Sequence, residues 1–264
     1  MKPILYHKDF FNGYKAIKEH SVDLVLTDPP YGIYGKETNL HTGLEWDVMP
    51  DVERMETVFD KLLTPTGQIV MFADLNLLLA LLSGFTNHFL FRFYLIWKKS
   101  GGMPISKFRP LPDTELILVF RRKNMIEANL TWNWKALGKN GQPYRKKNYN
   151  KNIPIRKGKK LDYNQNDDGW RYPKTIIEAP NKPNFEKNER TLHPTQKPEI
   201  LVRKLIKCFS NKGDTVLDPF TGSGTTLVCS HLESRKSIGF EINKRYYTEA
   251  LNRIKNHTAQ ETLF

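Results

Sequence analysis

With 264 residues the chain is long enough to bury a sizeable core, as one large domain or as a domain carrying an insertion. Lys and Arg number 41 against 28 acidic residues, and the net charge of +13 favours an anionic partner over an acidic or membrane-embedded role. The only cysteines, Cys208 and Cys229, exclude a disulfide framework and a Cys-x-x-Cys metal or redox pair and fit a reducing cytoplasm, and no apolar run is long enough to span a bilayer.

In chain order, residues 2–6 read as a strand, 14–19 as a helix and 22–26 as a second strand, a βαβ opening. Residues 32–51, rich in Gly, Asn and Thr, suit a loop over a site better than a core element. Helical spacing of Val52, Met55, Val58, Phe59 and Leu62 predicts a helix over 52–63, which Pro65-Thr66-Gly67 stops ahead of a strand at 68–72. The leucine-rich residues 75–82 predict a buried helix, and 91–97 and 114–120 two strands around a Gly-Gly and Pro-containing loop.

From Arg121 the apolar periodicity fades. Fifteen basic and four acidic residues lie between Arg121 and Lys174, interleaved with Tyr144, Tyr149, Tyr163, Trp170 and Tyr172. Cations that can meet phosphates beside rings that can pack on bases or sugars suit nucleic acid, and a disordered basic linker is the alternative. Residues 122–187 are therefore expected to be an insertion, with Lys146, Lys147, Lys157 and Lys159 among its DNA-contacting cations. Order returns at His193-Pro194-Thr195-Gln196-Lys197-Pro198, ahead of a helix over 199–209 with Pro198 at its start. A strand at 214–217, a helix at 227–232, a strand at 236–240 and a closing helix at 245–254 complete the chain.

Two loops carry the chemistry. Thr27-Asp28-Pro29-Pro30-Tyr31 follows an apolar strand, and its two prolines remove N–H donors, so that carbonyl acceptors stand exposed beside the Asp28 carboxylate and the Tyr31 ring. Such a mouth accepts protons from an amine and offers a stacking face; a plain Asx-Pro turn is the alternative. The second loop, Asp218-Pro219-Phe220-Thr221-Gly222-Ser223-Gly224-Thr225-Thr226, joins a strand to a helix. It lacks the Gly-Lys-Ser/Thr of a P-loop, and Leu227 stands where a dinucleotide fingerprint needs its third glycine, which leaves a nucleoside cofactor without phosphates. Glu241, at the end of the next strand, is placed to accept from ribose hydroxyls, or is a plain surface glutamate.

Together these stretches resemble the amino-group DNA methyltransferases that use S-adenosylmethionine, in the permuted order called the beta class. The catalytic Asp-Pro-Pro-Tyr comes first, a target-recognition region follows, and His-Pro-Thr-Gln-Lys-Pro and Asp-Pro-Phe-x-Gly-x-Gly come last. The resemblance covers residues 3–122 and 191–255; within 122–187 no family resemblance is found. It implies a seven-stranded, mainly parallel, doubly wound α/β sheet, with residues 1–121 and 188–264 forming the catalytic domain. It implies that Asp28 and the Pro29 carbonyl accept from the target amine, with Pro30 shaping the loop and Tyr31 stacking on the extruded base. Cofactor contacts would come from Asp28, from the loop residues Asp218, Pro219, Phe220, Gly222, Ser223, Gly224 and Thr225, from Glu241, and from Thr195 and Lys197 near the methionine carboxylate. Asp9 and Phe10 match a looser motif that borders the adenine, although Asp9 equally suits a helix cap. No metal is expected. The implied partner is double-stranded DNA; a homodimer and a cognate restriction endonuclease stay open. Within the family an aspartate at position 28 favours adenine-N6 over cytosine-N4, and an RNA or protein-glutamine target or a non-catalytic nucleic-acid binder are the remaining alternatives.

Overall fold

Runs of branched and aromatic residues, separated by helices with one apolar face, build a single mixed sheet in the computed structural model, which describes residues 2–32, 47–101, 108, 110–145, 165–166, 168–181, 193 and 195–260. The sheet strands are β1 (Ile4–His7), β2 (Val22–Thr27), β3 (Leu63–Ala73), β4 (Phe89–Lys98), β5 (Thr114–Arg122), β6 (Ile176–Glu178), β7 (Thr215–Asp218) and β8 (Lys236–Glu241). They lie in the order β1-β8-β7-β2-β3-β5-β4-β6, and β5 alone runs antiparallel to its neighbours. The helices are α1 (Phe10–Gly13), α2 (Val52–Leu62), α3 (Leu75–Gly84), α4 (Glu199–Phe209), α5 (Thr225–Leu232) and α6 (Lys244–Gln260).

Alternation along the central strands divides the core into two layers. Val25, Ile69, Met71, Leu118 and Phe120 face α2 and α3, whereas Leu24, Leu26, Val70, Phe72, Ile117 and Val119 face α4. Met55, Val58, Phe59 and Leu62 of α2 are fully or almost fully buried, each worth about 1.5–3 kcal/mol of apolar burial. Asp51 caps α2 through the Arg54 N–H, and Asp74 caps α3 through Leu77.

The fold is the expected doubly wound one, with differences that have local causes. The sheet has eight strands rather than seven, because Ile176–Glu178, inside the expected insertion, pairs in parallel with β4. Three residues with one buried side chain, Ile177, carry too little pattern to read as a strand. Strand β3 starts at Leu63 and runs through Pro65, where its register against β2 shifts, so that the proline occupies an irregularity instead of ending the helix–strand junction. Helix α3 is buried on one side only: Leu77 and Leu81 face the core, while Leu75, Leu79 and Leu82 are exposed.

The first part of the expected insertion is built into this body. Trp132 packs on Phe93 and Phe209, with ring centroids 5.5 Å from each, and the Asn133 side chain donates to the Lys207 and Ser210 carbonyls at the end of α4. Trp134 and Tyr172 stack at 4.2 Å nearby. Because α4 starts at the edge where the parallel strands end and finishes at the opposite edge, this root lies about 20 Å, the length of six strand residues, from the ends of β2 and β7. Strand β6 then carries the chain back across the sheet.

Candidate active site

The carboxyl ends of the parallel strands gather the site. Since β2 and β7 are neighbours, the loops that follow them lie side by side, and Thr27 Oγ1 at the end of β2 donates to Asp218 Oδ1 at the end of β7 over 2.7 Å. This hydrogen bond staples the Asp-Pro-Pro-Tyr loop to the glycine loop. The far side of the first loop is held by Asp47, buried, whose Oδ1 accepts from the Tyr31 and Gly32 N–H groups at 2.9 and 3.0 Å.

Antiparallel β5 starts at the edge where its neighbours end, and its second residue, Glu115, therefore joins the site. The Tyr31 hydroxyl lies 2.8 Å from both Asp28 Oδ1 and Glu115 Oε1. Lys197 Nζ stands 2.5 Å from Asp28 Oδ2 and 3.0 Å from Glu115 Oε1, and Lys99 Nζ is 2.9 Å from Glu115 Oε2. The side chains of Lys197 and Glu115 are 9% and 10% exposed, against 23% for Asp28, so the acid at the mouth is the most open member of the network. Burial raises the Asp28 carboxyl above the usual range, with Lys197 pulling the other way. Burial opposes the Lys197 charge, yet Asp28 and Glu115 overcome it and raise the ammonium; burial likewise opposes the Glu115 charge, and Lys197 and Lys99 overcome it and hold that carboxyl low. The Tyr31 phenol is raised well above its normal value by burial and by both acids, so it stays a donor.

The glycine loop turns through left-handed backbone at Gly222 and Gly224, with φ of +52° and +81°, conformations that side chains rarely adopt. Glu241, at the end of β8, accepts from the Gly222 N–H at 2.8 Å and the Asn243 N–H at 2.7 Å. Buried and with no cation in contact among the described residues, it is pushed up to about 7; Asp218 is raised by burial to about 6. Buried Arg253 of α6 donates to Ser223 O at 3.1 Å and Thr225 Oγ1 at 2.9 Å and pairs with Glu199, tying the loop to the start of α4. His193 meets the edge of Tyr246 at 4.4 Å between centroids and closes over Gly222, and burial lowers it to about 4, leaving it neutral.

Of the residues singled out from the sequence, Asp28, Tyr31, Lys197, Asp218, Gly222, Gly224 and Glu241 converge on this edge, with Pro219, Phe220, Ser223, Thr225 and Thr195 along the second loop and its strap. Lys197 sits against Asp28, on the catalytic side of the site. Asp9 caps α1 by accepting from Asn12 N at 3.0 Å, and the Phe10 ring is 2% exposed in the core against Phe220 and Phe240, which gives it no open face for an adenine. Lys146, Lys147, Lys157 and Lys159 lie outside the described residues. Sequence reasoning missed Glu115, Lys99 and Arg253, and it passed over Asp47; only the acidic start of a strand opposite the catalytic loop could have hinted at Glu115.

A doubly wound sheet holding a proline-rich acidic loop beside a left-handed glycine loop, with an unpaired acid on the following strand, defines a group-transfer site of the amino-methyltransferase type. A family model described as DNA methylase, N6_N4_Mtase, matches residues 22–252, and the chain belongs to that family of amino-DNA methyltransferases. It is 31% identical to the type II methyltransferase M.HpaI of Haemophilus parainfluenzae over 92% of this chain and 72% of that protein. It is 28% identical to the DNA adenine methyltransferase YhdJ of Escherichia coli (strain K12) over 98% of this chain and 85% of that protein. Among solved structures, the M1.HpyAVI–SAM complex superposes with a TM-score of 0.59 at 27% identity, covering 95% of this chain and 98% of that one. The PvuII cytosine-N4-specific DNA methyltransferase superposes with a TM-score of 0.66 over 98% of this chain and 91% of that one; at 18% identity it speaks for the fold alone.

Proposed function

We propose that this DNA methyltransferase moves a methyl group from S-adenosylmethionine to the N6 amine of an adenine extruded from duplex DNA. The observation that carries the reading is the Asp28 carboxylate, oriented by the Tyr31 hydroxyl, already engaged with a nitrogen donor through Oδ2, and next to the glycine loop through the Thr27–Asp218 bond. The residues fit the cofactor. The left-handed glycines shape a cradle, and buried Glu241, lacking a cation, is the acceptor that ribose hydroxyls require. When bound, S-adenosylmethionine supplies a methyl group activated as a sulfonium.

The protein's own part is orientation. Asp28 and the Pro29 carbonyl take the two amine hydrogens, which turns the nitrogen lone pair out of conjugation with the ring, and Tyr31 offers its ring to the extruded base. Extrusion costs a few kcal/mol, and stacking returns about 1–3 kcal/mol. Adenine is favoured over cytosine by aspartate at position 28, and the name of the Escherichia coli relative supports it. Residues 122–187 are read as the target-recognition region and residues 1–121 and 188–264 as the catalytic domain, with Lys146, Lys147, Lys157 and Lys159 meeting phosphates. The type II methyltransferase name of one relative supports a companion restriction endonuclease.

The test is product identity. Purified protein, labelled cofactor and mixed-sequence duplex DNA should yield N6-methyladenine on nucleoside mass spectrometry. N4-methylcytosine as the main product overturns the adenine assignment, and no methylated nucleoside overturns the reaction.

A further inference from the structure

Glu115 has no role in the reaction just described, yet it touches every charged or donating group around Asp28. Its Oε1 is 3.0 Å from Lys197 Nζ and 2.8 Å from the Tyr31 hydroxyl, and its Oε2 is 2.9 Å from Lys99 Nζ. Both Asp28 oxygens are meanwhile taken, Oδ1 by the Tyr31 hydroxyl and Oδ2 by Lys197. An incoming amine needs one of those oxygens, and the one it can gain is the one the ammonium holds, since a phenol locked between two acids has nowhere else to go.

Displacing Lys197 raises a difficulty that the geometry answers. Its side chain is 9% exposed, so water cannot take over the charge, and a buried ammonium that loses its partner is strongly disfavoured. Glu115 already stands at hydrogen-bond distance from the same nitrogen, and Lys99 keeps Glu115 ionised from the other side. We propose that Glu115 is a positioning residue for methyl transfer: it is the second seat of the Lys197 ammonium, which it retains when the target amine claims Asp28, and it anchors the Tyr31 hydroxyl during the exchange. The proposal rests on the methyl-transfer reading above and adds a residue to it. Glu115 touches neither the base nor the cofactor in this scheme; it acts through Lys197 and Tyr31.

Glu115→Gln keeps the shape and one acceptor oxygen while removing the charge. Single-turnover transfer from labelled S-adenosylmethionine to mixed-sequence duplex DNA should slow by about 30-fold or more, while the calorimetric Kd for the cofactor stays within about threefold of wild type. Glu115→Asp, which keeps the charge, should recover a large part of the lost rate. A Glu115→Gln rate within about threefold of wild type, or a loss matched by an equal loss of cofactor affinity, overturns the proposal. Should Glu115→Gln melt early, the comparison is made per mole of folded protein: Glu115→Asp faster than Glu115→Gln supports the second seat, and equal rates overturn it. Wild-type protein that binds the cofactor but methylates no DNA refutes the underlying reading, a result distinct from active wild type with an indifferent Glu115.

Discussion

Replacing Asp28 with alanine should separate catalysis from both folding and cofactor binding, and the structure sets the size of each effect. The substitution removes one hydroxyl-to-carboxylate hydrogen bond of 2.8 Å and one ion pair of 2.5 Å at a side chain 23% exposed. Neither partner is stranded, because Lys197 keeps Glu115 at 3.0 Å and the Tyr31 hydroxyl keeps it at 2.8 Å. The penalty of about 3–5 kcal/mol for an abandoned buried charge is thereby avoided, and what remains is about 1.5–3 kcal/mol for a hydrogen bond to a charged group. That loss lowers Tm by about 3–10 °C for a chain of this size. Transfer loses the acceptor that orients the amine, and a fall in kcat of about 10²–10⁴ is expected. The cofactor cradle, held by Glu241 and Arg253 instead, should keep its Kd within about threefold. Single-turnover transfer, calorimetry and thermal unfolding measure the three quantities separately. A cofactor Kd weakened in step with kcat, or a kcat reduced by less than about tenfold, would refute the division of labour between the two loops.

Tyr31→Phe should cost about tenfold in kcat, since one hydroxyl serves two acids but its single hydrogen bonds only one at a time, whereas Tyr31→Ala should also weaken capture of the base by about 1–3 kcal/mol; equal effects in the two variants would mean that the ring contributes nothing. Glu241, raised by burial from 4.5 to about 7, keeps a proton in the folded protein that the unfolded chain gives up, so its contribution to stability is present below about pH 4.5 and lost as pH rises through about 7. Its ionised form is the better acceptor for hydroxyls, so the cofactor Kd should tighten between about pH 6 and pH 8 in wild type and stay flat in Glu241→Gln, and a flat wild-type profile would remove Glu241 from the cofactor site. Neutralising Lys146, Lys147, Lys157 and Lys159 together should flatten the salt dependence of DNA binding by up to about one unit for each phosphate that is no longer engaged, and an unchanged slope would place the DNA elsewhere.

What could be read from the sequence was whatever the chain states locally. Helix α4 shows its full length in the spacing of Leu201, Val202, Leu205, Ile206 and Phe209 after Pro198, and the two chemical loops announce themselves by prolines and glycines at strand ends. Glu115 was illegible because its place depends on β5 running against its neighbours, a property of the assembled sheet that no window of residues encodes. Phe10 looked like a rim residue beside Asp9, but three core rings, Phe59, Phe220 and Phe240, surround it in space and not in sequence. The leucines of α3 misled in the opposite sense, since a nearly all-apolar helix gives no sign of which side meets the core.

Strand β6 matters to anyone who would exchange this enzyme's DNA specificity for another. A transplant cut at residues 122 and 187 would take with it a rung of the sheet beside β4 and the Trp132–Asn133 plug at the end of α4, and would leave the recipient with a bare edge and an uncapped helix. The natural seams lie further in. Lys139–Asn140 pairs antiparallel with Trp170–Arg171, which brings the two ends of the intervening segment together across a two-rung ladder. A graft sewn between residues 141 and 169 would exchange the most basic stretch and leave every strand of the sheet in its own chain.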